Sequence, residues 1–283
     1  MANLNDLLGR LKSDSGFEKD KELLGDFRLL PKKLSTNRKS DSSENSHVHF
    51  SKPERAVESL FENYDITPEF RIVGDFPVDA HIISALWINM IGHQFDAKLD
   101  DSCYGARLKR IRNDELFARD NEKPFHISSI GSFVPYFQPY QKWRSDGLKA
   151  IRDELEKDRD VVAVSLDLKS YYHFIDPMAI SGTALLEALD LELTDEERVF
   201  TEQLASFLCA WAESAEKFGQ SVGGKKTKIS GGLVIGLTCS RVISNALLHR
   251  WDKLVLEKLA PIHYGRYVDD MFLVSVSYTH LTL

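Results

Sequence analysis

The sequence predicts an α+β fold, with helices gathered around a small antiparallel sheet. Three observations carry that reading. Apolar runs of strand length, rich in β-branched and aromatic residues, occur at 161–168, 262–267 and 271–276. The long segments between and before them repeat their apolar residues at helical spacing. The order is helices, one strand, helices and then a hairpin, which is not the regular alternation of a parallel α/β sheet.

The bulk properties set limits. The 283 residues are enough for one large domain or two modest ones. A hydrophobic content of 43% and a charged content of 28% are ordinary for a globular chain. No apolar run reaches the length of a membrane span. The opening MANLNDLLGRLKSDSG lacks the apolar stretch and cleavage site of a secretory signal, so a cytoplasmic protein is expected. Cys103, Cys209 and Cys239 are too far apart for a zinc site and odd in number, so they read as reduced, buried thiols. The net charge of −7 argues mildly against a nucleic-acid partner. Phosphate contacts need only a local basic surface, however.

Along the chain, residues 4–30 read as a short amphipathic piece, helical in part, and the polar stretch 31–55 as a linker. Residues 77–99 are densely apolar and predict a buried helix. A basic segment follows, with Arg107, Lys109, Arg110 and Arg112, and then the aromatic run FVPYFQPYQKWR. A charged helix is expected near 145–158 and a buried strand at 161–168. The tetrad TDEE at 194–197 is a capping box. It opens a helix carrying Leu204, Phe207, Leu208 and Trp211 on one face, with Gly219 as its expected stop. The loop SVGGKKTKISGG leads to one more helix over 239–259. The last two strands enclose Val268, Asp269 and Asp270 at a hairpin tip.

Three carboxylates bear the chemistry. Asp167 ends one strand, and Asp269 and Asp270 lie at the hairpin tip. If the strand lies beside the hairpin, the acids converge at one end of the sheet. Clustered carboxylates raise one another's pKa unless cations compensate. Oxygen ligands select hard cations, and Mg²⁺ takes carboxylates together with substrate phosphates. Two such ions about 4 Å apart clamp both oxygens of an in-line phosphoryl displacement.

GRYVDDMFLV at 265–274 resembles the Y-x-D-D box of reverse transcriptases. LDLKSYYHFI at 166–175 resembles the first palm motif of that family, and GLVIGLTCSRVISN at 232–245 the second, in the family's order. Fainter similarity upstream (FPVDAH, YGARL and the aromatic run) points to the bacterial branch linked to phage defence and abortive infection. The resemblance implies a right-hand polymerase with fingers at 56–158 and an antiparallel palm sheet with helices at 159–276. Residues 1–55 are then an N-terminal segment with its linker. The thumb is expected to be missing, and 277–283 to be a tail foreign to the palm. Val234 stands where the second motif usually has Pro.

The implied activity is RNA-directed DNA synthesis, adding dNTPs to a 3′-OH on an RNA template from a DNA or protein primer. The cofactors are two Mg²⁺ ions, for which Mn²⁺ can substitute. Asp167 and Asp269 are the implied metal bridges, with Asp270 and the Leu168 carbonyl in support. Tyr172 would sit under the sugar and select deoxynucleotides; as an alternative it is a core aromatic. Gly232 would let nucleic acid approach closely and Gly236 the nucleotide, or both simply form a loop. Arg107 would meet the triphosphate, and Lys225 and Lys226 the nucleic acid, or all three are solvated charges. Two further readings stay open: untemplated or protein-primed synthesis by the same acids, and a non-catalytic scaffold that binds RNA. No membrane partner is expected.

Overall fold

The computed structural model describes residues 9, 16–18, 20–38, 53–110, 125, 131–223 and 232–276. The chain divides into two compact units, one of Phe27–Val73 and one formed by Met1–Asp26 with Gly74–Leu283. The smaller unit contains a pair of long strands, β1 (Asp26–Arg38) and β2 (Tyr64–Asp75), hydrogen-bonded in a two-stranded sheet. Between them lies α1 (Pro53–Asn63), which starts on proline, where a missing N–H costs nothing. The stretch expected as a linker is thus partly strand and partly helix. Its hydrophilic composition hides an extended segment through Arg38, and residues 39–52 lie outside the described residues. Of the stretch 4–30, expected to be helical in part, Gly9 and Lys21–Leu24 are helical among the described residues, the latter capped by Asp20, before the chain turns into β1 at Asp26.

The larger unit has a helical part and a sheet part. In the helical part, α2 (Val78–Trp87), a π-helical stretch (Ile88–Gly92) and α3 (His93–Ala97) form one continuous apolar rod, as the sequence predicts. Ile83, Trp87, Ile88, Ile91 and Phe95 are all buried. Removing each such side chain from water contributes about 1.5–3 kcal/mol. Against it runs α4 (Asp195–Gly223), whose Leu204, Phe207, Leu208 and Trp211 are buried. The Trp87 indole donates to Thr201 Oγ1 at 3.1 Å, so the ring is buried without an orphaned N–H. The capping box forms in both directions: Thr194 N reaches Glu197 Oε2 at 2.9 Å, and Glu197 N reaches Thr194 Oγ1 at 3.3 Å. The helix passes through Gly219 and ends only at Gly223. One glycine costs about 1 kcal/mol in a helix, too little to stop a well-packed one.

The sheet part is built from β3 (Val161–Asp167), β4 (His263–Tyr267) and β5 (Asp270–Val276), in the order β3-β5-β4 and antiparallel throughout. The protein is therefore α+β with small antiparallel sheets, the class its sequence predicts. On one face lies α5 (Phe137–Leu155). Its Trp143 packs edge-on to Phe272 and donates to the Gly265 carbonyl at 2.9 Å. On the other face Met271, Leu273 and Tyr264 pack with Leu248 and Val255, joined by Leu168 and Tyr171. That second layer comes from α6 (Cys239–Leu247) and α7 (His249–Leu259). The single helix expected over 239–259 is broken at Leu248.

β3 corrects the expectation of a buried strand. It is an outer strand, and Val162, Val164 and Leu166 remain 38–42% exposed. An apolar run reads alike whether a second layer covers it or stops short. The three cysteines are free, with Cys103 and Cys239 buried. Among the described residues no helix is long and apolar enough to cross a membrane.

Candidate active site

The acids meet through backbone pairing. Antiparallel register sets Asp167 directly opposite Asp270, and Asp270 opposite Tyr267 on its other side. Asp269 occupies the two-residue turn between β4 and β5, and its carbonyl accepts from Leu168 N at 3.2 Å. Two chain segments far apart in sequence thus present three carboxylates at one end of the sheet. Burial pushes the Asp270 carboxyl above its ordinary value, and the charges of Asp269 and then Asp167 push it further. This mutual repulsion is what a cation relieves.

Among the described residues, no three His, Cys, Asp or Glu side chains form a ready-made metal cage. The three acids offer only oxygen donors, and Asp270 feels the charges of the other two. That donor set fits Mg²⁺, which keeps waters and completes its shell with substrate oxygens. Asp167, Asp269 and Asp270 are the residues that would hold it. The Leu168 carbonyl accepts from Tyr171 N at 3.1 Å and retains a second lone pair.

The turn itself is strained. Val268 has φ +61°, a left-handed conformation that a β-branched residue adopts at a cost and that hairpins usually give to glycine. What holds it is Arg266, wholly buried beneath the turn. Its Nη1 donates to the Val268 carbonyl at 2.8 Å and to Asn245 Oδ1 at 2.9 Å. Nε and Nη2 make a forked ion pair with Asp252, at 2.7 and 2.6 Å. Tyr264 donates its hydroxyl to the same carboxylate at 2.6 Å.

The other motif residues gather nearby. Gly232 lies against the Tyr172 and His173 backbone, where a Cβ would collide with the Tyr172 carbonyl. The next amide, Leu233 N, donates to that carbonyl at 2.6 Å. Tyr172 is held at its far end too, its hydroxyl 3.0 Å from Ser244 Oγ, while Tyr171 donates to the Ser244 carbonyl at 2.7 Å. Burial pushes the Tyr172 phenol above its ordinary pKa. Gly236 has φ +139°, and a Cβ there would stand 2.9 Å from the Gly74 carbonyl and against the Phe76 ring. Only glycine fits that position. Val234, in place of proline, is completely buried.

Arg107 departs from expectation. Its guanidinium faces inward, and all five N–H groups are engaged: with the Asp96 carboxylate at 3.0 Å and with the carbonyls of Asp96, Leu99, Asp100 and Cys103. No donor is left for a triphosphate. Arg110 joins it on Asp96 at 2.5 Å. A basic run reads the same whether its guanidiniums point in or out. Lys225, Lys226 and Arg112 lie outside the described residues. Of the aromatic run, Trp143 is core, whereas Tyr136, Phe137 and Tyr140 are exposed.

Sequence reasoning passed over Asp252, Ser244 and Arg241. Asp252 had a signal: it interrupts the apolar positions Leu248 and Val255 at helical spacing, where a carboxylate needs a buried partner. Arg241 is exposed in the first turn of α6, with its guanidinium 5.4 Å from the Phe133 ring centroid, and its charge acts on both Tyr172 and Tyr267. No protein-family model matches the chain, and no curated protein matches it.

Proposed function

We propose that this chain is the fingers-and-palm part of an RNA-directed DNA polymerase, with the three-stranded sheet as its palm. The observation that carries the reading is the pairing of Asp167 with Asp270 across β3 and β5, with Asp269 beside them in the turn. It joins the two acidic motifs at one end of an antiparallel sheet.

In this reading Asp167 and Asp269 would hold the metals, with Asp270 in support. Bound Mg²⁺, or Mn²⁺ in its place, would favour ionisation of the 3′-OH and neutralise charge on the transferring phosphoryl group. The remaining work falls to the chain. Tyr172, its hydroxyl braced by Ser244, would be the residue that excludes a ribose 2′-OH and admits a deoxyribose. The bare backbone at Gly232 keeps the Tyr172 segment and the following loop in contact. Gly236 lets that loop reverse direction.

The test is incorporation of labelled dNTPs by the purified chain with Mg²⁺, with and without a primed RNA template, with rNTPs as the sugar control. Template-dependent dNTP incorporation that Asp269→Ala abolishes establishes the reading. Incorporation without template transfers the same acids to untemplated synthesis. A folded protein that incorporates nothing under any priming condition leaves a scaffold function.

A further inference from the structure

We infer that Arg266 is a positioning residue for the acidic turn: its buried guanidinium anchors the Val268 carbonyl and so holds Asp269 and Asp270 where they can bind metal. The inference rests on the metal-site reading above and adds a residue that touches neither metal nor substrate.

The geometry is complete in itself. Every N–H of Arg266 has an acceptor: Asp252 for Nε, Asn245 Oδ1 and the Val268 carbonyl for Nη1, Asp252 and the Asn245 carbonyl for Nη2. Its backbone is pinned as well. Arg266 N donates to the Ser102 carbonyl at 2.7 Å, and its own carbonyl accepts from Tyr104 N at 2.8 Å. Asn245 reaches the same loop through Nδ2, 2.8 Å from the Gly105 carbonyl. Arg266 thus ties α6 and α7 to the turn through its side chain, and the loop at 102–104 through its backbone. Ion pairing with Asp252 needs only one edge of the guanidinium. The Nη1 arm is directed at the turn, where the left-handed Val268 would otherwise be free to relax. A strained turn persists only where its surroundings over-determine it.

Arg266→Ala would strand the Asp252 carboxylate and risks unfolding. The informative variant removes the ion pair together with its tyrosine, Arg266→Met with Asp252→Leu and Tyr264→Phe, and leaves Asn245 its bond to the Gly105 carbonyl, because a buried ion pair can be replaced by apolar residues at little cost. Arg266→Lys is the second variant; it keeps a charge beside Asp252 without the arm to Val268. Three readouts are taken on the full chain: the thermal melt, amide hydrogen exchange of the β4–β5 turn, and Mn²⁺ binding followed by the spin-resonance signal of free Mn²⁺. The expected result is a cooperative melt, faster exchange confined to the turn, and Mn²⁺ affinity weaker by about 10–100-fold, the usual effect of losing an outer-shell support. Unchanged turn exchange and Mn²⁺ affinity in either folded variant would overturn the inference. If the unaltered chain binds no Mn²⁺ but the variants still loosen the turn, the anchoring stands and the metal reading falls.

Discussion

At the scale of single residues, Asp270 makes a pH prediction with a definite sign. Its folded-state pKa is raised, by burial first and then by Asp269 and Asp167. The folded state therefore holds its proton more tightly than the unfolded state does. Stability is greatest below the ordinary carboxylate range and falls as pH rises through the raised value. Asp270→Asn should melt higher than the parent at neutral pH, and the difference should close on acidification, as melts across pH will show. Val268 makes a second prediction. With φ +61°, Val268→Gly relieves the left-handed strain at some cost in chain entropy, for a net gain of about 1 kcal/mol in denaturant titration. The meeting of Asp167 with the Asp269–Asp270 turn was legible because strand-length apolar runs flank each of them. Arg266 was legible only as a motif letter and Asp252 only as a carboxylate among apolar helical positions, because the pair itself is a property of packing, not of spacing. Arg107 was misread for the same reason: nothing in YGARLKRIR says that Asp96 turns it inward.

At the scale of elements, the long helix and the hairpin were readable and the interruptions were not. The capping box at Thr194 and Glu197 forms as its letters predict. Thr194→Ala should cost about 1 kcal/mol, read as a lowered urea midpoint with the slope unchanged. The break at Leu248 had no proline or glycine to announce it. It shows only in the backbone, where Leu248 N donates to the Asn245 carbonyl at 3.3 Å in a tightened turn. The exposure of β3 was likewise hidden, because strand order is decided by partners elsewhere in the chain. The contact between Ser244 and Tyr172 also joins two elements, and it sets a specificity prediction. If the chain is the polymerase proposed above, Ser244→Ala should loosen the Tyr172 ring and lower discrimination against rNTPs while dNTP turnover largely survives, as measured by paired kcat/KM values.

At the scale of the whole molecule, a ligand that binds only the folded state stabilises it by mass action. Saturating Mg²⁺ should raise the melting temperature of the unaltered chain, and chelation should reverse the gain. Asp167→Asn with Asp269→Asn should melt at the same temperature with or without the ion. The α+β class was legible because strand-length and helix-length runs alternate irregularly. The division into two units was not, since β1 runs on into a stretch whose composition suggests a linker. The π-helical stretch Ile88–Gly92 carries a consequence of its own. His93 N donates back to the Ile88 carbonyl, so this turn holds one residue more than an α-turn. In genetic terms, losing one codon there is nearly silent by composition and would let the rod close up as a plain α-helix. A codon lost from the flanking α-turns has no such surplus to draw on, and the rotation of about 100° per residue would swing Asp96 away from Arg107 and Arg110. The loop those arginines hold stands behind Arg266, so a frame-preserving deletion remote from the acids would be felt at the turn that carries them.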